Sequence, residues 1–183
     1  FHLLSVDANG EWGETSHLGP FWIDTTPPAL PTDVVSSSHA PGTWSSKNVI
    51  DINWSAVTDA PPLPAGGTGG GSSLRGYSIV WDRQPLTLPP AGSNVGAAVT
   101  ALSTPPLVDG VWYLHLRPAD VAGNWTSDAV HLGPFQIDTH PPNPPSDLRG
   151  VSHQVGVWSN RADIELEWKA ASDETSGIKN YLI

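Results

Sequence analysis

Residues 50–54 read Ile-Asp-Ile-Asn-Trp, and residues 164–168 read Ile-Glu-Leu-Glu-Trp. Both alternate apolar and polar residues strictly, which is the pattern of an extended strand with one buried and one wet face. The two copies agree on which positions face inward while exchanging residues on both faces. The agreement extends outward, because His17–Asp59 matches His131–Asp173 at an offset of 114 with 21 identities in 43 positions. The shared core is HLGPF-x-ID-T-x-PP, then D-x-x-x-x-SH-x-x-G-x-WS, then I-x-x-x-W-x-A-x-x-D. Upstream, residues 1–12 match residues 114–125 at an offset of 113. Solenoid and propeller repeats run to about 20–50 residues, so a period this long has the size of an autonomous domain.

The repeat divides at Pro27-Pro28 and Pro141-Pro142, since proline fixes φ and makes a semi-rigid extended joint. Residues 1–27 then read as the C-terminal strands of one repeat, 28–141 as a complete domain, and 142–183 as the N-terminal strands of a third. Phe1 opens inside one hydrophobic pattern and Ile183 closes inside another, as expected of a segment of a longer array. Within 28–141, further strands are expected at Tyr77–Trp81, Val95–Leu102, Val111–Arg117 and Val130–Ile137, with Pro, Gly, Asn and Asp clusters between them. This is the pattern of an all-β, antiparallel two-sheet β-sandwich. The Gly, Ser and Pro-rich stretch Ala60–Ser73 lies where this copy is ten residues longer than the other, with 17 residues between Asp59 and Tyr77 against 7 between Asp173 and Tyr181. It reads as a surface loop.

Composition removes several function classes. With 8 basic and 18 acidic side chains, a net charge of −10 leaves no basic stripe for nucleic acid or an anionic membrane. Membrane insertion is not expected, because no run approaches the roughly 18 apolar residues that crossing requires. With no cysteine there is no disulfide, thiolate zinc site or cysteine nucleophile. The G-x-S-x-G, H-E-x-x-H, kinase and Rossmann signatures are missing too, and the GGTGGG run lacks the Lys-Ser/Thr end of a phosphate loop. No enzymatic role is expected.

Pro28 and Pro31 lead the first strand, Trp54 ends the second, and Tyr77 opens the third. Leu107-x-x-Gly110 precedes Trp112-Tyr113, and Ala119-Asp120 leads to a hairpin at Gly123-Asn124. In these features the repeat resembles the fibronectin type III superfamily, in the divergent Ig-like form strung along large prokaryotic surface or secreted proteins. The resemblance implies a core tryptophan and a tyrosine corner after L-x-x-G. Leu114 and Leu116, however, favour Trp112 as their partner on the inward face. It also implies an extracellular or cell-surface spacer in an adhesive or filament-forming protein, with neighbouring repeats as partners and self-assembly through strand edges. No RGD tripeptide is present.

Three chemistries remain to be weighed. Asp120, Gly123 and Asn124, like Asp7, Asn9 and Glu11, put oxygen-bearing side chains around a glycine turn, and Asp24 or Asp138 sits beside the prolines. Asp120, Asn124 and Asp138 are therefore the candidate ligands for calcium, although Asp-x-x-Gly-Asn also suits a tight hairpin. Six of seven histidines recur in pairs, so His39, His115 and His131 are either imidazole ligands or plugs bonded to backbone at strand ends. Among the tryptophans, Trp12/Trp125, Trp44/Trp158 and Trp54/Trp168 are paired and read as packing. The unpaired Trp22 is the candidate sugar-stacking platform, which would suit a carbohydrate-binding accessory domain of a secreted hydrolase. Asn53-Trp-Ser and Asn124-Trp-Thr are glycosylation sequons expected on outward positions.

Overall fold

The computed structural model describes residues 1–59 and 71–183. Most of the expected insertion loop, residues 60–70, lies outside the described residues. The described chain is all-β, with no helix, and its strands in order are β1 (His2–Leu3), β2 (Ser16–His17), β3 (Val35–Ser36), β4 (Trp44–Ser45), β5 (Asp51–Asn53), β6 (Leu74–Asp82), β7 (Val95–Gly96), β8 (Ala101–Ser103), β9 (Gly110–Asp120), β10 (Val130–Ile137), β11 (Ser146–Gly150) and β12 (Leu166–Lys169). A five-stranded sheet runs β4-β10-β9-β6-β7, a three-stranded sheet runs β3-β5-β8, and β1-β2 and β11-β12 are separate pairs.

The two larger sheets share one core, in a sandwich-like arrangement. Ile50, Ile52 and Trp54 come from β5 and its ends, and meet Tyr77 and Ile79 of β6, Leu114 and Leu116 of β9, and Phe135 and Ile137 of β10. These are the inward positions that the alternation marks. Trp54 packs edge-on against Tyr77 with ring centroids 5.4 Å apart. The pair recurs in the last segment as Trp168 and Tyr181 at 5.6 Å.

Two expectations need correction. Val95–Leu102 is not one strand, because the chain turns at Gly96 with a Val99 N–H to Gly96 carbonyl bond and passes from one sheet to the other. Nor is the pairing wholly antiparallel, since β4 runs parallel to β10 with Trp44 opposite Gln136. After β3 in the small sheet the chain turns at Ala40–Thr43 and enters the large sheet as β4.

Trp112 packs against the core on the same face as Leu114 and Leu116. Its indole N–H donates to the Val108 carbonyl at 2.8 Å, and the Arg83 guanidinium lies 4.6 Å from its ring. Trp44 is 37% exposed at a strand edge and Trp158 is fully exposed, so packing does not hold for that pair. The strand that β10 supplies beside Trp44 has no counterpart within 142–183.

Candidate functional site

The S-H motif resolves into a backbone device. The Ser38 hydroxyl accepts the Asp51 amide at 2.8 Å and lies 2.8 Å from His39 Nδ1, while His39 Nε2 donates to the Lys47 carbonyl at 2.9 Å. The same bonds recur 114 residues on, through Ser152, Glu165, His153 and the Arg161 carbonyl, at 2.8, 2.8 and 3.1 Å. His39 therefore does not join His115 and His131, and the three do not form a ligand set. His115 is buried on β9, with its Nδ1 2.7 Å from Nδ1 of His131 on β10 and its Nε2 3.1 Å from Asp82 Oδ1. The carboxylate only accepts, so His115 Nε2 carries a proton. With both rings neutral, His131 is then the donor across the pair. Burial, and next the proximity of His115, hold the His131 ring below the ordinary histidine range. His2 and His17 repeat the contact at 2.6 Å.

The acidic residues beside the proline pairs build a different constellation. Asp24 caps its own turn, with Oδ1 accepting the Thr26 amide at 3.0 Å, while Oδ2 accepts the Ser72 amide at 2.7 Å. These amides hold the Asp24 carboxyl below its ordinary value. Asp120, buried at the end of β9, accepts the Gly123 and Asn124 amides on Oδ1 at 2.8 and 2.7 Å. The Asn124 side-chain N–H group then reaches both Asp120 Oδ2 at 2.8 Å and the Asp24 carbonyl at 3.0 Å. Asp59 completes the group, so that Asp24, Asp59 and Asp120 each place a carboxylate oxygen within 4.8 Å of the others.

Of the sequence candidates, Asp120 and Asn124 are thus brought together, and Asp138 is not with them. Their partner from across the proline joint is Asp24, with Asp59 added. Asp138 lies at the other joint in a group with Asp109 and His140. There it repeats the role of Asp24, accepting the His140 amide at 3.1 Å and the Ser176 amide at 3.1 Å. Asp109 accepts the Thr139 amide and hydroxyl at 3.0 and 2.9 Å and contacts His140 Nδ1 at 2.5 Å. That contact holds Asp109 below, and His140 above, their ordinary values. Asp59 went unread in the sequence, although it closes the repeated W-x-A-x-x-D motif.

Trp22 is 89% exposed, as a platform requires. The apolar residues beside it have another explanation: Phe21 and Ile23, 66% and 82% exposed, match Phe135 and Ile137 of the core. Asn53 is exposed, but the Asn124 amide is engaged at the joint, which corrects its expected outward placement. Comparisons with protein-family models, curated proteins and solved structures find no match.

Proposed function

We propose that this chain is a run of tandem fibronectin type III-like sandwiches acting as a non-enzymatic extracellular spacer in a large surface, adhesive or filament-forming protein. The observation that carries the reading is the recurrence of one joint. Asp24 and Asp138, in equivalent I-D-T-x-P-P segments, each cap a local turn and accept an amide from the loop after the following Trp-ending strand. A connection built the same way twice fixes how successive units are presented, which is what a spacer requires. The carbohydrate-binding alternative rests on Trp22, and a fully exposed aromatic is a weaker support than a repeated joint.

Small-angle X-ray scattering tests the reading. A compact single body of 183 residues has a radius of gyration of about 16 Å. A string of units gives a value well above that with an elongated distance distribution. A value close to about 16 Å would refute the spacer.

A further inference from the structure

We propose that Asp24, Asp59 and Asp120, with Asn124 positioning Asp24 and Asp120, form a calcium site that ties the tail 1–27 to the unit that follows it. The inference goes beyond the spacer reading, which stands with or without a cation.

The carboxylates come from three separate stretches of chain: the segment before Pro27, the irregular stretch after β5 and Trp54, and the end of β9. No lysine, arginine or histidine forms an ion pair with any of them among the described residues. Backbone amides, from local turns and from Ser72, satisfy Asp24 and Asp120, but not Asp59. The residue is 9% exposed, and neither carboxylate oxygen has a hydrogen-bond partner among the described residues. Burial raises its proton affinity, and the charges of Asp24 and Asp120 raise it further. The Ser73 amide and Ser72 hydroxyl lie close enough to offset part of this without closing a hydrogen bond.

The repeat supplies an internal comparison. Asp173 occupies the position of Asp59 in the next copy, and there Oδ1 accepts three amides, from Thr175, Ser176 and Gly177, at 3.0, 2.8 and 3.0 Å. One copy satisfies this carboxylate with backbone. The other leaves it facing two more carboxylates, an arrangement that a bound cation neutralises.

The donor chemistry selects the ion. The three groups that face one another are all carboxylates. The Asn124 N–H group bonds Asp120 and the Asp24 carbonyl and so holds two of them in place. An all-oxygen set suits a hard cation and not zinc or copper. Calcium accepts such an irregular oxygen set, whereas magnesium demands a near-ideal octahedron and gives up its water reluctantly. Because Asp24 precedes the joint while Asp59 and Asp120 follow it, an ion held among the three makes contact on both sides of the joint at once.

The test is calorimetric titration and thermal unfolding of the intact chain, stripped with chelator and then given calcium or magnesium up to about 5 mM, above the range in which extracellular modules bind. Calcium should bind and raise the melting temperature, and magnesium should do so far less. Asp24→Asn, Asp59→Asn and Asp120→Asn should each weaken calcium binding by at least about tenfold. Asp147→Asn, the same loss of charge at an exposed position on β11, should leave it unchanged. In chelator, Asp59→Asn should melt higher than the parent chain, an outcome that also shows the variant to be folded. Absence of a calcium response, or an undiminished response in the three variants, overturns the site. Loss in Asp59→Asn and Asp120→Asn but not in Asp24→Asn overturns the tie across the joint, and an equal response to magnesium overturns the choice of ion. An elongated chain indifferent to calcium would sink this inference and leave the spacer standing.

Discussion

Phe21 and Phe135 occupy the same place in the HLGPF motif of successive repeats, yet Phe21 is 66% exposed and Phe135 is fully buried. Replacing each by alanine therefore separates what the letter does from what its surroundings do. At Phe135 the loss is a buried ring between Trp81, at 6.0 Å, and His39, at 6.3 Å, within the core shared by the two sheets. Truncating a buried phenylalanine costs about 3–5 kcal/mol, and the aromatic contacts place this one toward the upper end. Phe21→Ala should cost within about 0.5 kcal/mol, as exposed substitutions do. Urea unfolding followed by tryptophan fluorescence gives the readout. With a slope on the order of 1.5–2 kcal/mol/M, the Phe135→Ala midpoint should fall by about 2 M or more, while that of Phe21→Ala barely moves. Equal shifts would refute the reasoning, and so would a loss below about 1 kcal/mol at Phe135.

Two further predictions follow from the same sheet. Gly133 has φ +147°, and an added Cβ would lie 2.8 Å from Tyr113 Cδ1 and 2.9 Å from the Trp112 carbonyl oxygen; Gly133→Ala should therefore cost about 2–4 kcal/mol in thermal unfolding, from strain and overpacking together, and a loss under about 1 kcal/mol would contradict that geometry. The His115–His131 pair should make stability depend on pH. His131 is held below its ordinary value when folded, so the unfolded chain binds more protons in that window and stability falls as the pH drops from about 6.5 toward the lowered value. The attraction of Asp128 opposes this only in part. Denaturant midpoints measured across that range should slope less for His131→Asn than for the parent chain, and identical slopes would rule out the pair as the cause.

The inside-outside pattern of the strands was legible because it is local. The alternation in IDINW places Ile50, Ile52 and Trp54 in the core, and Leu114 with Leu116 correctly selects Trp112 for the inward face. What period-two reading could not show was where a strand leaves one sheet for the other. Val95–Leu102 is apolar enough for one strand, but Gly96 starts a turn there, and the residues beyond pair with β5 instead of β6. Burial has the same limit. Trp44 and Trp158 occupy the same place in the repeat, yet Trp44, paired beside β10, is 37% exposed and Trp158 is 101% exposed.

The joint shows which part of a polar site a sequence can carry. Asp120 and Asn124 were found because their contacts close within one turn, four residues apart. Asp24 joins Asn124 across 100 residues, and the choice between Asp24 and Asp138 depends on which side of a unit each proline pair lies, which spacing alone does not encode. The chemical consequence is specific to carboxylates. An apolar joint would hold at any ion concentration, because burying hydrocarbon needs no counter-charge. A joint that gathers Asp24, Asp59 and Asp120 within 4.8 Å places like charges together, so on the proposed calcium site its stiffness would be set by the solution around it.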